Sequence, residues 1–168
     1  ASNAPLLEFS VDGKGSGEEI RWRSGSRKVR VEAQAVSHVP MKSLEVVVNG
    51  DTVFIQDASS DGKQVQLSRE VELDDSSWIS VRVRGDAHRM VPNDKKLYAH
   101  SSPVYCYRAG RPIHFREDAE YFIKQIDVLL ENVDRNGLYK DVAQKQEVMD
   151  LFRKGQDVYR KIAKEATR

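Results

Sequence analysis

A single cysteine, Cys106, stands among the 168 residues, which excludes an intrachain disulfide and any zinc site built on several thiolates. Histidine is scarce as well. His38, His88, His100 and His114 show no HxH, HxxxH or HExxH spacing, so no single element offers two imidazoles to one ion. No apolar run approaches the roughly 18 residues of a membrane-spanning helix. Neither sign of charge dominates: 27 lysines and arginines face 26 acids, a net +1, so the whole molecule has no electrostatic bias toward nucleic acid. What is present is a chain 39% apolar and 32% charged, able to bury a continuous core without metal or cross-link. The opening Ser-Asn-Ala, without an initiator methionine, reads as a scar of tag removal, so residues 1–4 are expected to be scar or linker.

From Leu6 to His114 apolar residues recur with a period of two, broken by turn chemistry every eight to twelve residues, the pattern of an all-β sandwich. Candidate strands are LLEFSV, EEIRWRS, RKVRVEAQAV, SLEVVV, TVFIQ, QVQLSREVEL, WISVRVRG and SPVYCYR. In RKVRVEAQAV, Val29, Val31, Ala33 and Ala35 alternate with Arg30, Glu32 and Gln34, one face dry and the other wet. Asn49-Gly50 is the signal of a type I′ hairpin turn. A two-residue turn there sets Val48 opposite Asp51, Val46 opposite Val53 and Leu44 opposite Ile55, all five apolar side chains on one face.

After Phe115 the period changes. REDAEYFIKQIDVLLENVDRNG puts Phe122, Ile126, Leu129 and Val133 on one helical stripe, with Glu117 and Asp118 in the first turn and Gly137 as a stop. The rest of the chain from Asp141 repeats the pattern with Val148, Phe152, Gly155, Tyr159 and Ile162, and Asp141 is placed to cap. Gly155 would allow a close approach. The predicted fold is mainly β: an immunoglobulin-like antiparallel β-sandwich over 5–114, followed by a C-terminal two-helix hairpin over 115–168 packed on it.

No constellation in the chain assembles an active site. His100 and Ser101 are adjacent and would point to opposite faces of a strand, and there is no GxSxG elbow. A two-residue turn at Ala109-Gly110 would pair Cys106 with Ile113, making the thiol a small core residue. Asp74-Asp75 and Glu117-Asp118 are explained by a turn and a helix start. VDGKGSGEE lacks the GK[ST] ending of a phosphate loop. Lys14, Arg21, Arg23, Arg27, Lys28 and Arg30 surround Trp22, but alternation puts Ile20 and Trp22 opposite Arg21 and Arg23, which favours a solvated strand face. Trp22 and Trp78 are read as core residues, with stacking on sugar rings as the alternative.

The order of pieces resembles a known family. PLLEFSVDGKGSGEEIRWRSGSRKVRVEAQAVSHVPMKSLEVVVNGDTV, SSWISVRVRG, AHSSPVYC and REDAEYFIKQIDVLLENV together look like the C-terminal domain of the CehA/McbA family of PHP-like metallohydrolases, from about Pro5 to Arg160. LEVVVNG, the W-I-x-x-R-x-x-G pattern from Trp78, AHSSPVY and EDAEYF carry it most specifically. The resemblance implies a parent with an N-terminal catalytic domain that holds divalent metal and hydrolyses ester-like bonds. Its ligands would precede Pro5, so the chain alone is expected to hold no catalytic, cofactor or metal residue. The implied partner is that catalytic domain of the same chain, with no nucleic acid and no membrane span, in an extracytoplasmic (periplasmic or secreted) setting. Relatives often have a capping serine where this chain has Phe115, and DAHRMVPNDKKLY is a polar insertion before AHSSPVY. His88, His100 and Ser101 are the residues expected near the missing domain. The alternative function is a carbohydrate or cell-surface binding sandwich, which aromatic side chains standing free on a sheet face would favour.

Overall fold

The computed structural model describes residues 1–92 and 95–166, which form two compact units, Ala1–Ile113 and His114–Arg168. The first is all β: β1 (Leu6–Val11), β2 (Glu19–Trp22), β3 (Arg27–Val36), β4 (Ser43–Val48), β5 (Asp51–Asp57), β6 (Gln64–Leu73), β7 (Ser77–Ala87), β8 (Lys96–His100) and β9 (Val104–Arg108). The second is a helical pair, α1 (Arg116–Asn136) and α2 (Val142–Glu165).

Two sheets make the β-unit: β1-β3-β6 in one, β2-β9-β7-β4-β5 with β8 also on β7 in the other. All pairings are antiparallel except β2 with β9, which run parallel. The expected alternation in β3 is realised, Val29, Val31, Ala33 and Ala35 being buried and their neighbours exposed. Ile79, Val81 and Val83 of β7 join Leu44 and Val46 of β4 and Val104 and Cys106 of β9 in the same core. Its driving force is the burial of β-branched and aliphatic surface, at about 25 cal/mol per Å² removed from water.

Asn49 and Gly50 both take positive φ, 53° and 101°, so the two-residue turn forms as expected. The register beyond it differs. Val48 faces Asp51 and Val47 faces Thr52, but a bulge at Val46/Val47 then pairs Val46 with Phe54, Glu45 with Ile55 and Leu44 with Gln56. The extra residue turns Val53 and Ile55 away from the core, and Phe54 packs against it instead. KLYAH, absent from the expected strands, is β8, with Leu97 and Ala99 buried. Residues 93 and 94 of the polar insertion lie outside the described residues, as do the chain's last two. The opening residues carry order of their own: Ser2 bridges to Ala99, and Ala1 exchanges backbone hydrogen bonds of 2.8 Å with His100.

In the helical unit Asp141 caps α2, accepting from the Gln144 N–H at 2.8 Å. Phe115 at the start of α1 supplies no side-chain cap. Gly137 ends α1 without a left-handed turn: its φ is −68°, and a Cβ there would lie 2.1 Å from the Tyr139 hydroxyl. Close packing, rather than backbone freedom, requires glycine. The seam of α1 is rotated from the expected stripe, with Ala119 buried and Ile123, Ile126, Leu130 and Val133 half-buried, while Phe122 and Leu129 flank it in the open. On α2 Val148, Phe152, Tyr159 and Ile162 are partly covered as expected, but Gly155 is exposed and Gln156 is the buried centre. Two helices share only a narrow strip, and an apolar stripe wider than about 100° overflows it.

Candidate functional site

The strongest local constellation surrounds Trp78 on the outer face of the larger sheet. Along β7 the inward side chains are Ile79, Val81 and Val83, so Trp78, Ser80, Arg82 and Arg84 share the outer side. Trp78 pairs across to Tyr105 of β9, and Tyr105 and Tyr107 stand on that same side with ring centroids 6.4 Å apart. Arg21 of β2 reaches over the Tyr107 ring at 4.9 Å, a cation–π contact. Both Trp78 and Tyr105 are partly exposed. With Ser80, His100, Ser101, Ser102 and Pro103 they line a shallow depression of about 460 Å³.

Asn49 holds the tryptophan in place. Its backbone N–H donates to the Trp78 carbonyl at 3.1 Å, its side-chain oxygen accepts from the Trp78 N–H at 2.9 Å, and its amide nitrogen donates to Ser77 Oγ at 3.0 Å. A side-chain amide offers an acceptor oxygen and a donor nitrogen on adjacent atoms, which suits the two neighbouring residues it reaches. One residue therefore serves the β4–β5 turn and the seat of Trp78.

Next to the aromatic row lies Glu45, the one buried acid among the described residues. Glu45 of β4 accepts from Arg82 Nε at 2.5 Å and Arg84 Nε at 2.9 Å. Burial pushes its carboxyl up, but the hydrogen bonds and charge of Arg82 and then Arg84 outweigh this and hold it below the ordinary glutamate range. Gly85, the last position of the W-I-x-x-R-x-x-G pattern, is buried where a Cβ would lie 3.0 Å from the Pro40 carbonyl and 3.1 Å from Leu97. The pattern therefore has Ile79 and Gly85 facing in, and Trp78 and Arg82 facing out.

Of the three expected interface residues, His100 and Ser101 line the depression, while His88 lies before β8 outside it. The Ser101 hydroxyl is occupied: it accepts from the Val81 N–H at 3.1 Å, and the Ser101 N–H donates to the Val81 carbonyl at 2.9 Å. These bonds close the ladder where the edge of β7 passes from β9 to β8. His100 Nδ1 lies 3.2 Å from the Ser101 carbonyl, and no Ser-His pair forms. His88 Nδ1 accepts from the Met90 N–H at 3.2 Å.

Other sequence candidates resolve into structural roles. Cys106 is fully buried between Ser77 and Ile20; the Ala109-Gly110 turn forms, but no strand follows it, so Ile113 is not its partner. Burial pushes its thiol up to about 11. Trp22 packs against the core with its indole N–H donating to the Gly25 carbonyl at 3.0 Å, whereas Trp78 is not in that core, contrary to the expectation for it. The signal was readable: Trp78 alternates with Ile79, Val81 and Val83, as Tyr105 and Tyr107 alternate with Val104 and Cys106. The basic stretch is matched by acids, Arg27 with Asp12 at 3.1 Å and Arg30 with Glu70 at 3.5 Å. Asp75 meets Arg111 at 2.6 Å. In VDGKGSGEE the Gly15 N–H donates to Glu18 at 2.6 Å. Among the described residues no group of three or more His, Cys, Asp or Glu side chains is placed to hold a metal ion, and no helix is long and apolar enough to cross a membrane. Comparisons with family models, characterised proteins and solved structures found no match, so the constellation at Trp78 stands on its own geometry.

Proposed function

We propose that the chain is a non-catalytic C-terminal module of a metal-dependent hydrolase of the CehA/McbA type, and that the outer face at Trp78 is where the N-terminal catalytic domain docks. One observation carries this reading. Three of the four segments that carry the resemblance most specifically meet at one place: Asn49 of LEVVVNG clamps Trp78, Trp78 and Arg82 come from the W-I-x-x-R-x-x-G pattern, and His100, Ser101 and Tyr105 come from AHSSPVY. Ile79 and Gly85 have reasons in the core, but the outward Trp78 and Tyr105 have none there. Partly exposed aromatic rings are the side chains enriched at interface centres, and the paired Glu45–Arg82–Arg84 cluster beside them suits the polar rim. The strand order, with β1-β3-β6 in one layer, β2-β9-β7-β4-β5 in the other and a parallel β2–β9 pair, supports an immunoglobulin-like topology for the module. Divalent metal would belong to the catalytic domain, and no residue of this chain is assigned to it.

A second reading rests on the same row. Trp78, Tyr105 and Tyr107 stand on an open sheet face, as a platform for sugar rings would. Calorimetric titration of the chain with the separately produced catalytic domain, and with soluble oligosaccharides, separates the two. Docking predicts a complex with the domain that Trp78→Ala weakens about tenfold or more, and ester turnover with zinc or manganese only when the domain is present. Oligosaccharide binding that quenches Trp78 fluorescence, with no complex, transfers the site to the second reading. Turnover by the chain alone sinks both.

A further inference from the structure

The helical unit has a face with almost no charge. At about 100° per residue, measured from the seam residues Ala119 and Gln156, one broad side of the pair holds Phe122, Leu129, Val148, Leu151, Val158 and Ile162. Within that side the charged residues are Asp118 and, beside the seam, Lys145, which pairs with Asp134 at 2.7 Å; Glu147 and Glu165 lie at its outer edge. Phe122 of α1 stacks on Tyr159 of α2 with centroids 4.9 Å apart, so both helices turn their apolar sides the same way. The opposite side is dense with charge, including the pairs Arg153–Asp150 at 2.9 Å and Arg160–Asp157 at 2.8 Å. Leu151 is 70% exposed, Val158 57%, Leu129 45% and Phe122 44%.

We propose that this face joins two copies of the chain, the two hairpins stacking as an antiparallel four-helix bundle. The charge distribution selects the occupant. A face with so little charge gives a charged partner almost nothing to recognise, whereas two copies of it meet with little repulsion and leave both ionic faces in water. Gly155 lies near the middle of α2, and a Cβ added there meets nothing within 4 Å, so the helix surface is bare at that point. A two-fold axis lying across the helices at this level sets α2 against its symmetry mate at Gly155, and every adjacent helix then runs antiparallel, which opposes their dipoles favourably. Two helices about 30 Å long and 10 Å apart offer about 600 Å² per copy, or about 1,200 Å² in the pair, the lower bound of stable interfaces. The inference rests on the hairpin alone and is independent of the docking reading at Trp78.

Sedimentation velocity of the full chain from about 1 to about 200 µM tests it. The expected result is a species of twice the 19.1 kDa chain mass. Leu151→Glu and Val158→Glu alter side chains already in water, so helicity by circular dichroism is retained while the dimer Kd rises about tenfold or more. Gly155→Leu is the decisive variant: it raises the intrinsic helix propensity of α2, so a merely structural role predicts an unchanged or tighter assembly, whereas blocking the approach weakens the dimer. Lys164→Glu on the ionic side leaves it unchanged. A single species of chain mass throughout the range, a dimer that survives all three face variants, or equal loss in Lys164→Glu overturns the proposal.

Discussion

The two units bury their apolar residues to very different degrees. In the β-unit Leu44, Val46, Ile79, Val81 and Val104 have essentially no contact with water, whereas the buried residues described in the helical unit are Ala119, Gln156, Ala163 and Ala166, three of them alanines. Two sheets enclose a volume between them, so side chains from both layers can be surrounded. Two helices meet along a line, and their larger apolar side chains stay at its margins. The difference teaches where further association is to be sought. The β-unit presents an aromatic depression at Trp78 and scattered single apolar side chains such as Leu6 and Ile55, while the hairpin leaves a contiguous side of its amphipathic pattern uncovered.

Substitution in the core should separate the units most sharply. Leu44→Ala is expected to cost about 2–5 kcal/mol in chemical denaturation, because the closed β-core cannot collapse onto the vacated space. A loss below about 1 kcal/mol would show that this core is looser than its burial indicates. The hairpin's counterpart is Gln156→Ala, which removes hydrogen bonds to the Ile123 carbonyl at 3.1 Å and to Asp127 at 2.5 Å. About 1–3 kcal/mol of helical stability is expected to go with it, read as loss of helical signal at lower temperature while the strand signal holds. Simultaneous melting of both signals would make the two units one cooperative body.

Glu45 gives the smallest effect and a pH signature. Its carboxyl is held below the ordinary value of 4.5 despite burial, through Arg82 and Arg84. The pair therefore contributes fully above about pH 4.5 and is lost as pH falls through the lower folded value. Glu45→Gln should cost about 1–2 kcal/mol near neutrality, and the gap between the two thermal midpoints should close as the solution is acidified. A gap that persists in acid would mean that packing of the side chain, rather than its charge, stabilises the sheet.

Much of the fold was legible because local chemistry dictated it. Asn49-Gly50 takes the positive φ of its turn, Asp141 caps α2, and Val29 through Ala35 alternate as buried and exposed. The bulge after Val46 was not legible, because period-two alternation reads straight through an inserted residue until the partner strand shows that Phe54, and not Val53, faces inward. The short β8 escaped because its first three residues read as the end of the polar insertion and the two that follow carry too little pattern to stand out. At the candidate site His100 and Ser101 were named in advance, but Trp78 was assigned to the core although it shares parity with Arg82 and Arg84.

By itself the sequence determined both helices and every strand but β8, which side of β3 is apolar, and where two of the turns close. Those are properties of period and backbone preference, which act within a few residues. Only tertiary structure decided that β7 is shared along one edge by β9 and β8, that Ser101 closes the gap between them, and that Asn49 clamps Trp78 from 29 residues away. Each of those depends on a backbone group that the local strand leaves unpaired, and the partner that satisfies it is chosen by the packing of distant segments rather than by sequence neighbours.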